Sequence, residues 1–169
     1  MKTSEEAYDI MIKDNFLDEE LFNNLHSRVG TFMYAAKINL LTNGKHPWFS
    51  AYVSEDIQEI VKNKCEKIWN KKFKVTMSAF TLLATVEPLP HCDLKDDCSH
   101  QIIIYIKGNT NLHKGTGFYM KKKLNTHIGF NENRAILWRS NACHSPLNWA
   151  SDDKSPRYSL IFQLKELKD

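Results

Sequence analysis

The sequence predicts an α+β fold in which helices lean against a sandwich or barrel of antiparallel strands. Two observations carry that expectation. Both segments with helical periodicity fall in the first 70 residues, and the strand-like runs crowd into the remainder of the chain. A third observation fixes the scale: 169 residues without a repeat or a linker suit one domain with a real core. The expected division is helical support and a first strand over 1–75, and a barrel core over 76–169.

Residues 7–13 alternate, with Tyr8, Ile10 and Ile12 on one face and Asp9, Met11 and Lys13 on the other, which is the period of a half-buried strand. Asp18 then offers a helix N-cap. Glu19 and Glu20 occupy the first turn, and Leu21, Phe22, Leu25 and Val29 recur at helical spacing. Ser54 repeats the device: Glu55 and Asp56 follow it, and Ile57, Ile60, Val61, Cys65, Ile68 and Trp69 form an apolar stripe. Strands are expected over 74–88, 100–107, 116–120, 127–130, 134–139 and 158–165. The turns between them draw on Gly108-Asn109, Gly115, Asn125, residues 131–133 and Ser155-Pro156. Lys121-Lys122-Lys123 reads as a solvated hairpin tip.

Hydrophobic residues make up 42% and charged residues 25%, the balance of a globular protein, and no apolar run reaches membrane-spanning length. The N-terminus lacks a basic-then-apolar signal, so the expected location is the cytoplasm. In that setting Cys65, Cys92, Cys98 and Cys143 are expected to be free thiols. A net charge of +3 leaves the substrate class open.

The chemistry concentrates in two places. In Leu89-Pro90-His91-Cys92-Asp93, an extended backbone projects His91 and Asp93 from one face and Cys92 from the other. His144 follows 53 residues later, far enough to return on another strand beside the pair. Two imidazoles and one carboxylate on a single face are the ligand set of non-haem Fe(II) oxygenases, because they leave positions open for a bidentate cosubstrate and O₂. Thirteen residues beyond His144, the run from Arg157 to Leu164 alternates so that Arg157 and Ser159 share a face opposite Tyr158, Leu160, Phe162 and Leu164. A guanidinium with a neighbouring hydroxyl can grip the distal carboxylate of a dicarboxylic acid whose near end chelates the iron.

With His91-x-Asp93, then His144, then Arg157-x-Ser159, the sequence resembles the 2-oxoglutarate and Fe(II)-dependent dioxygenases, in their small prolyl-hydroxylase-like branch. Gly115-Thr116-Gly117-Phe118-Tyr119 is similar to the glycine-rich strand midway through that barrel. The run from Asn133 to Trp138 is similar to the strand before the distal histidine, and Asp14-Asn15-Phe16-Leu17 to the opening of small members. Arg157 stands where many prolyl hydroxylases carry lysine, which leaves the substrate unspecified.

The resemblance implies a distorted double-stranded β-helix, a jelly-roll of cupin-like form, buttressed by the N-terminal helices. It implies catalytic metal ligands His91, Asp93 and His144 on Fe(II), and 2-oxoglutarate on Arg157 and Ser159. Tyr105, sharing an inward face with Gln101 and Ile103, would contact the cosubstrate as tyrosines do in relatives. The implied reaction couples oxidative decarboxylation of 2-oxoglutarate by O₂ to hydroxylation of an unidentified protein residue or small molecule. An alkylated nucleic-acid base stays open without support from the charge pattern, and no membrane partner is expected. The alternative function is a non-catalytic cupin-like barrel that binds metal or sugar. An alternative metal reading, structural zinc, would recruit Cys92, Cys98, His100 and Cys143. Arg139 and Trp149 flank the distal histidine, within reach of a substrate.

Overall fold

The structure, a computed structural model, describes residues 9–37, 48–83, 90–93, 97–147 and 156–167. In chain order its elements are β1 (Ile10–Lys13), α1 (Glu19–Arg28), a 3-10 turn (Val29–Thr31), β2 (Ala35–Lys37), β3 (Trp48–Ala51), α2 (Glu55–Trp69), β4 (Phe73–Leu83) and β5 (His100–Lys107). They continue with β6 (Gly115–Met120), β7 (Lys123–Gly129), β8 (Ala135–Arg139), β9 (Cys143–Leu147) and β10 (Arg157–Glu166). The strands form two antiparallel sheets, a larger one in the order β1-β8-β5-β10-β4-β3-β2 and a smaller one in the order β7-β6-β9. Among the described residues no helix is long and apolar enough to cross a membrane.

Strand alternation sorts the larger sheet into two faces. Ile102, Ile104, Ile106, Leu137, Leu160, Phe162 and Leu164 meet Leu25 of α1 and Val61 and Cys65 of α2 in one core. Ile103, Tyr105, Ile136 and Trp138 point the other way, onto Phe118, Ile128 and Phe130 of the smaller sheet. A strand covered on both faces cannot alternate apolar with polar, so β5 reads as a nearly unbroken apolar run. Each aliphatic side chain fully buried in this way contributes about 1.5–3 kcal/mol.

Both helices start where expected, but neither cap works through its side chain. Asp18 and Ser54 make no side-chain capping bond. The Asp18 carboxylate instead lies 3.0 Å from Lys64 Nζ on α2, tying the helices together. Ile60 is 37% exposed, off the buried stripe, and α2 ends at Asn70, whose φ of 51° closes the last turn.

The first strand is shorter than expected and faces differently: Ile12 is 47% exposed while Met11 packs on the helix-side core, because β1 is an edge strand of a sheet covered on both sides. Ala7, Tyr8 and the end of the expected strand over 84–88 lie outside the described residues. Gly115 and Asn125, expected in turns, sit within β6 and β7. Lys121 and Lys122 do form the hairpin tip, both at positive φ (49° and 66°), the two-residue turn whose twist matches its flanking strands.

The expectation of four free thiols is corrected. Cys65 and Cys98 are buried and lie outside the disulfide, whereas Cys92 and Cys143 are joined in one.

Candidate active site

His91 and His144 meet across an isolated antiparallel bridge beside the smaller sheet. The His91 N–H donates to the His144 carbonyl at 3.0 Å, and the His144 N–H donates back to the His91 carbonyl at 2.8 Å. Residues directly opposite in such a pair project from the same face, so the two imidazoles stand side by side with ring centres 4.7 Å apart. Asp93, two residues along, returns to that face: its Oδ2 is 3.9 Å from His91 Nε2 and 3.7 Å from His144 Nε2. One ligand atom from each of the three residues lies within 4.8 Å of the others, within reach of a single ion with bonds of about 2.0–2.2 Å.

The His144 ring is held in a ligating state. Its Nδ1 lies 3.2 Å from the Ala142 carbonyl. A carbonyl only accepts, so Nδ1 carries the proton and Nε2 keeps its lone pair for a metal. Burial, reinforced by repulsion from His91 and opposed by Asp93 and the Ala142 carbonyl, holds the His144 pKa below the usual histidine range and favours the neutral ring. Trp138 packs edge-on against it at 4.9 Å and Phe118 lies at 6.2 Å, which fixes the plane of the ring.

The second cluster lies on the inner face of the larger sheet. Arg157 is 5% exposed, and its Nη1 donates to the Gly115 carbonyl at 2.9 Å. Its guanidinium carbon sits 5.5 Å from the centre of the Tyr105 ring. Ser159 is paired with Tyr105 across β10 and β5, and its hydroxyl is buried without a hydrogen-bond partner among the described residues. Burying a hydroxyl without a partner is unfavourable, so this atom points to a missing acceptor or donor. The Tyr105 hydroxyl, fully buried, shares a 2.7 Å hydrogen bond with Thr116 Oγ1. Burial raises its pKa, so the phenol stays protonated.

Strand β6 links the two clusters. Gly115, at one end, receives Arg157, and Phe118, three residues on, pairs with His144. Three residues of strand span roughly 10 Å. A five-carbon dicarboxylate, with a metal bond of about 2 Å at one end and a charge-assisted hydrogen bond of about 2.8 Å at the other, suits that span. Gly115 is needed here because an added Cβ would run into the Ile128 carbonyl.

The residues singled out from sequence therefore fall into two groups, His91, Asp93 and His144 in one, and Arg157, Ser159 and Tyr105 in the other. Thr116 and Trp138 were not anticipated as site residues. The alternation of Gly115-Thr116-Gly117-Phe118 is the signal that would have put Thr116 inward. The zinc reading does not hold, since the Cys92 and Cys143 sulfurs are bonded to each other. Arg139 is exposed at the end of β8, and Trp149 lies outside the described residues.

No family model and no curated protein sequence matches the chain. Solved structures do. A 2OG-Fe(II) oxygenase family oxidoreductase from Burkholderia pseudomallei superposes with a TM-score of 0.71 at 8% identity, covering 92% of this chain and 85% of that one. A prolyl hydroxylase from Trichoplax adhaerens, in complex with a hypoxia inducible factor oxygen degradation domain peptide fragment, gives 0.69 at 13% identity, covering 93% and 83%. The epimerase SnoN, in complex with Fe3+, alpha ketoglutarate and nogalamycin RO, gives 0.65 at 10% identity, covering 92% and 78%. The chain has the fold of these proteins, and several of its structural neighbours, prolyl hydroxylases among them, are members of the 2-oxoglutarate and Fe(II) oxygenase family.

Proposed function

We propose that the protein is a 2-oxoglutarate- and Fe(II)-dependent dioxygenase, one domain over residues 1–169 with a distorted double-stranded β-helix at its centre. The observation that carries the reading is the pairing of two half-sites on the walls of one sandwich. A His91-Asp93-His144 donor triangle faces inward, and roughly one cosubstrate length away stand the buried Arg157 and the buried Ser159 hydroxyl, the latter without a hydrogen-bond partner among the described residues.

His91, Asp93 and His144 would hold the iron, with the neutral His144 imidazole offering Nε2. Arg157 would pair with the distal carboxylate of 2-oxoglutarate, Ser159 would give its unused hydroxyl, and the Tyr105 phenol with Thr116 would close the polar end of the pocket. Once bound, iron with 2-oxoglutarate and O₂ supplies the oxidising power for hydroxylating a C–H bond, coupled to decarboxylation of 2-oxoglutarate to succinate. The protein's share is placement: ligands fixed by β9 and the bridge paired to it, a charge clamp and a wall of Phe118, Trp138 and Ile103 that keeps water away. The substrate is a protein residue or a small molecule, the two classes that accompany the hydroxylase and the epimerase above. A cytoplasmic setting belongs to the same reading.

The test is turnover of 2-oxoglutarate in the presence of peptide and metabolite pools, with product masses recorded under O₂ and under argon. The proposal predicts O₂-dependent succinate and a gain of one oxygen on one component, both lost in His144→Ala. Tight iron uptake without succinate from any pool would favour the non-catalytic barrel.

A further inference from the structure

The disulfide lies immediately behind the metal ligands. In the antiparallel pair that sets His91 opposite His144, the next position sets Cys92 opposite Cys143, and their Cα atoms are 4.1 Å apart. Side chains alternate across the two strands, so the imidazoles face the sandwich interior while the sulfurs face outward. Cys92 is exposed and Cys143 half-buried, which leaves the bond reachable from solvent. Besides the disulfide, two backbone hydrogen bonds join 90–93 to β9 among the described residues, the pair exchanged by His91 and His144.

We propose that Cys92–Cys143 is a thiol–disulfide exchange site that sets metal affinity, its substrate being a dithiol reductant. The inference rests on the metal reading of His91, Asp93 and His144. A dithiol thiolate attacks the more exposed Cys92 sulfur, the S–S bond breaks, and Cys143 leaves as a thiolate that takes up a proton. The second thiol of the reductant then resolves the mixed disulfide, releasing Cys92 as a thiol and the reductant as its own disulfide. Two electrons and two protons pass from reductant to protein.

Oxidised, the pair locks the segment that carries two of the three ligands onto the strand that carries the third. Reduced, it removes that covalent tie, and the ligand triangle loses its fixed spacing. Loss of a group that orients metal ligands typically costs about 10–100-fold in affinity. In a cytoplasmic setting ambient dithiols would make this a graded response to thiol redox state.

The test measures Mn(II) affinity from the electron paramagnetic resonance signal of free Mn(II). Four samples are compared: the disulfide protein, wild type reduced with dithiothreitol and freed of it under argon, that sample reoxidised, and C92S/C143S. Reduction should raise the thiol count of the denatured protein from two, Cys65 and Cys98, to four. It should also weaken Mn(II) binding by about tenfold or more, with C92S/C143S matching the reduced protein and reoxidation restoring the original value. The reduced and reoxidised wild type decide the matter even where the double variant fails to fold. Equal affinity before and after reduction, or a disulfide that resists dithiothreitol in the folded protein, overturns this inference alone. Absence of Mn(II) binding by the disulfide protein overturns the metal reading as well.

Discussion

The imidazoles of His91 and His144 stand side by side because their backbones exchange two hydrogen bonds, which brings together two histidines 53 residues apart in sequence. This pairing has a clear consequence for single substitutions. His91→Ala, Asp93→Ala and His144→Ala each remove a ligand and not a wall, so Mn(II) or Fe(II) affinity should fall by more than the roughly 10–100-fold that loss of an outer partner costs. Far-ultraviolet circular dichroism should be unchanged. Anaerobic titration checks this, and wild-type affinity in any one variant would remove that residue from the site.

Asn133 braces the entry segment against the barrel. Its Oδ1 accepts from the Leu17 N–H at 2.8 Å and its Nδ2 donates to the Leu17 carbonyl at 2.9 Å, both buried. Asn133→Ala orphans both groups at about 1–3 kcal/mol each and keeps a side chain at φ 58°. Urea unfolding should therefore show a loss of about 2–6 kcal/mol. Asn133→Gly relieves the backbone cost and should be less damaging by about 1 kcal/mol. Equal stability of both variants and wild type would mean that Leu17 finds other partners.

His100 makes stability fall with acid. Burial, reinforced by Lys71 and Arg139 and opposed by Glu166 and Asp9, lowers its pKa from 6.5 to about 4. Its ring packs against Trp69 at 4.6 Å and Phe73 at 5.0 Å. The unfolded chain binds the proton below about 6.5 and the folded chain only below about 4, so the stability His100 confers is complete above 6.5 and is lost between those values as pH falls. The loss is at most about 3 kcal/mol. His100→Phe should flatten the difference in unfolding free energy between pH 7.5 and 4.5, whatever its absolute stability; an unchanged slope would assign the acid sensitivity to other groups.

Much of the candidate site was legible because extended backbone alternates: His91 with Asp93, and Arg157 with Ser159, share faces that two-residue spacing alone predicts. The same logic placed the ends of β5 correctly. It failed where structure depends on pairing across the chain. The short strands β2 and β3 carry too few residues for a periodic signal, and β9 contains Pro146, which a sequence reading treats as a breaker. The disulfide was invisible for a related reason. Cys92 faces Cys143 only because His91 is in register with His144, and register between distant strands is set by packing rather than by local sequence. Asp18 marked a helix start correctly but spends its carboxylate on Lys64, a contact no local rule contains.

Arg157 offers the most direct test of the account, since many barrels bind metal but few bury a cation and a hydroxyl at a fixed distance from it. The measurement is anaerobic titration of 2-oxoglutarate into the Fe(II) protein, followed by the visible charge-transfer band of a chelated 2-oxo acid. Arg157→Ala removes one partner of a desolvated charge pair, worth about 2–5 kcal/mol, and should weaken the cosubstrate by roughly 30-fold or more while iron affinity holds. Ser159→Ala removes one hydroxyl bond to a charged group, about 1.5–3 kcal/mol at most, and should weaken it less. The account predicts a band in wild type and that ranking of affinities; no band, or equal affinity for wild type and both variants, would contradict it.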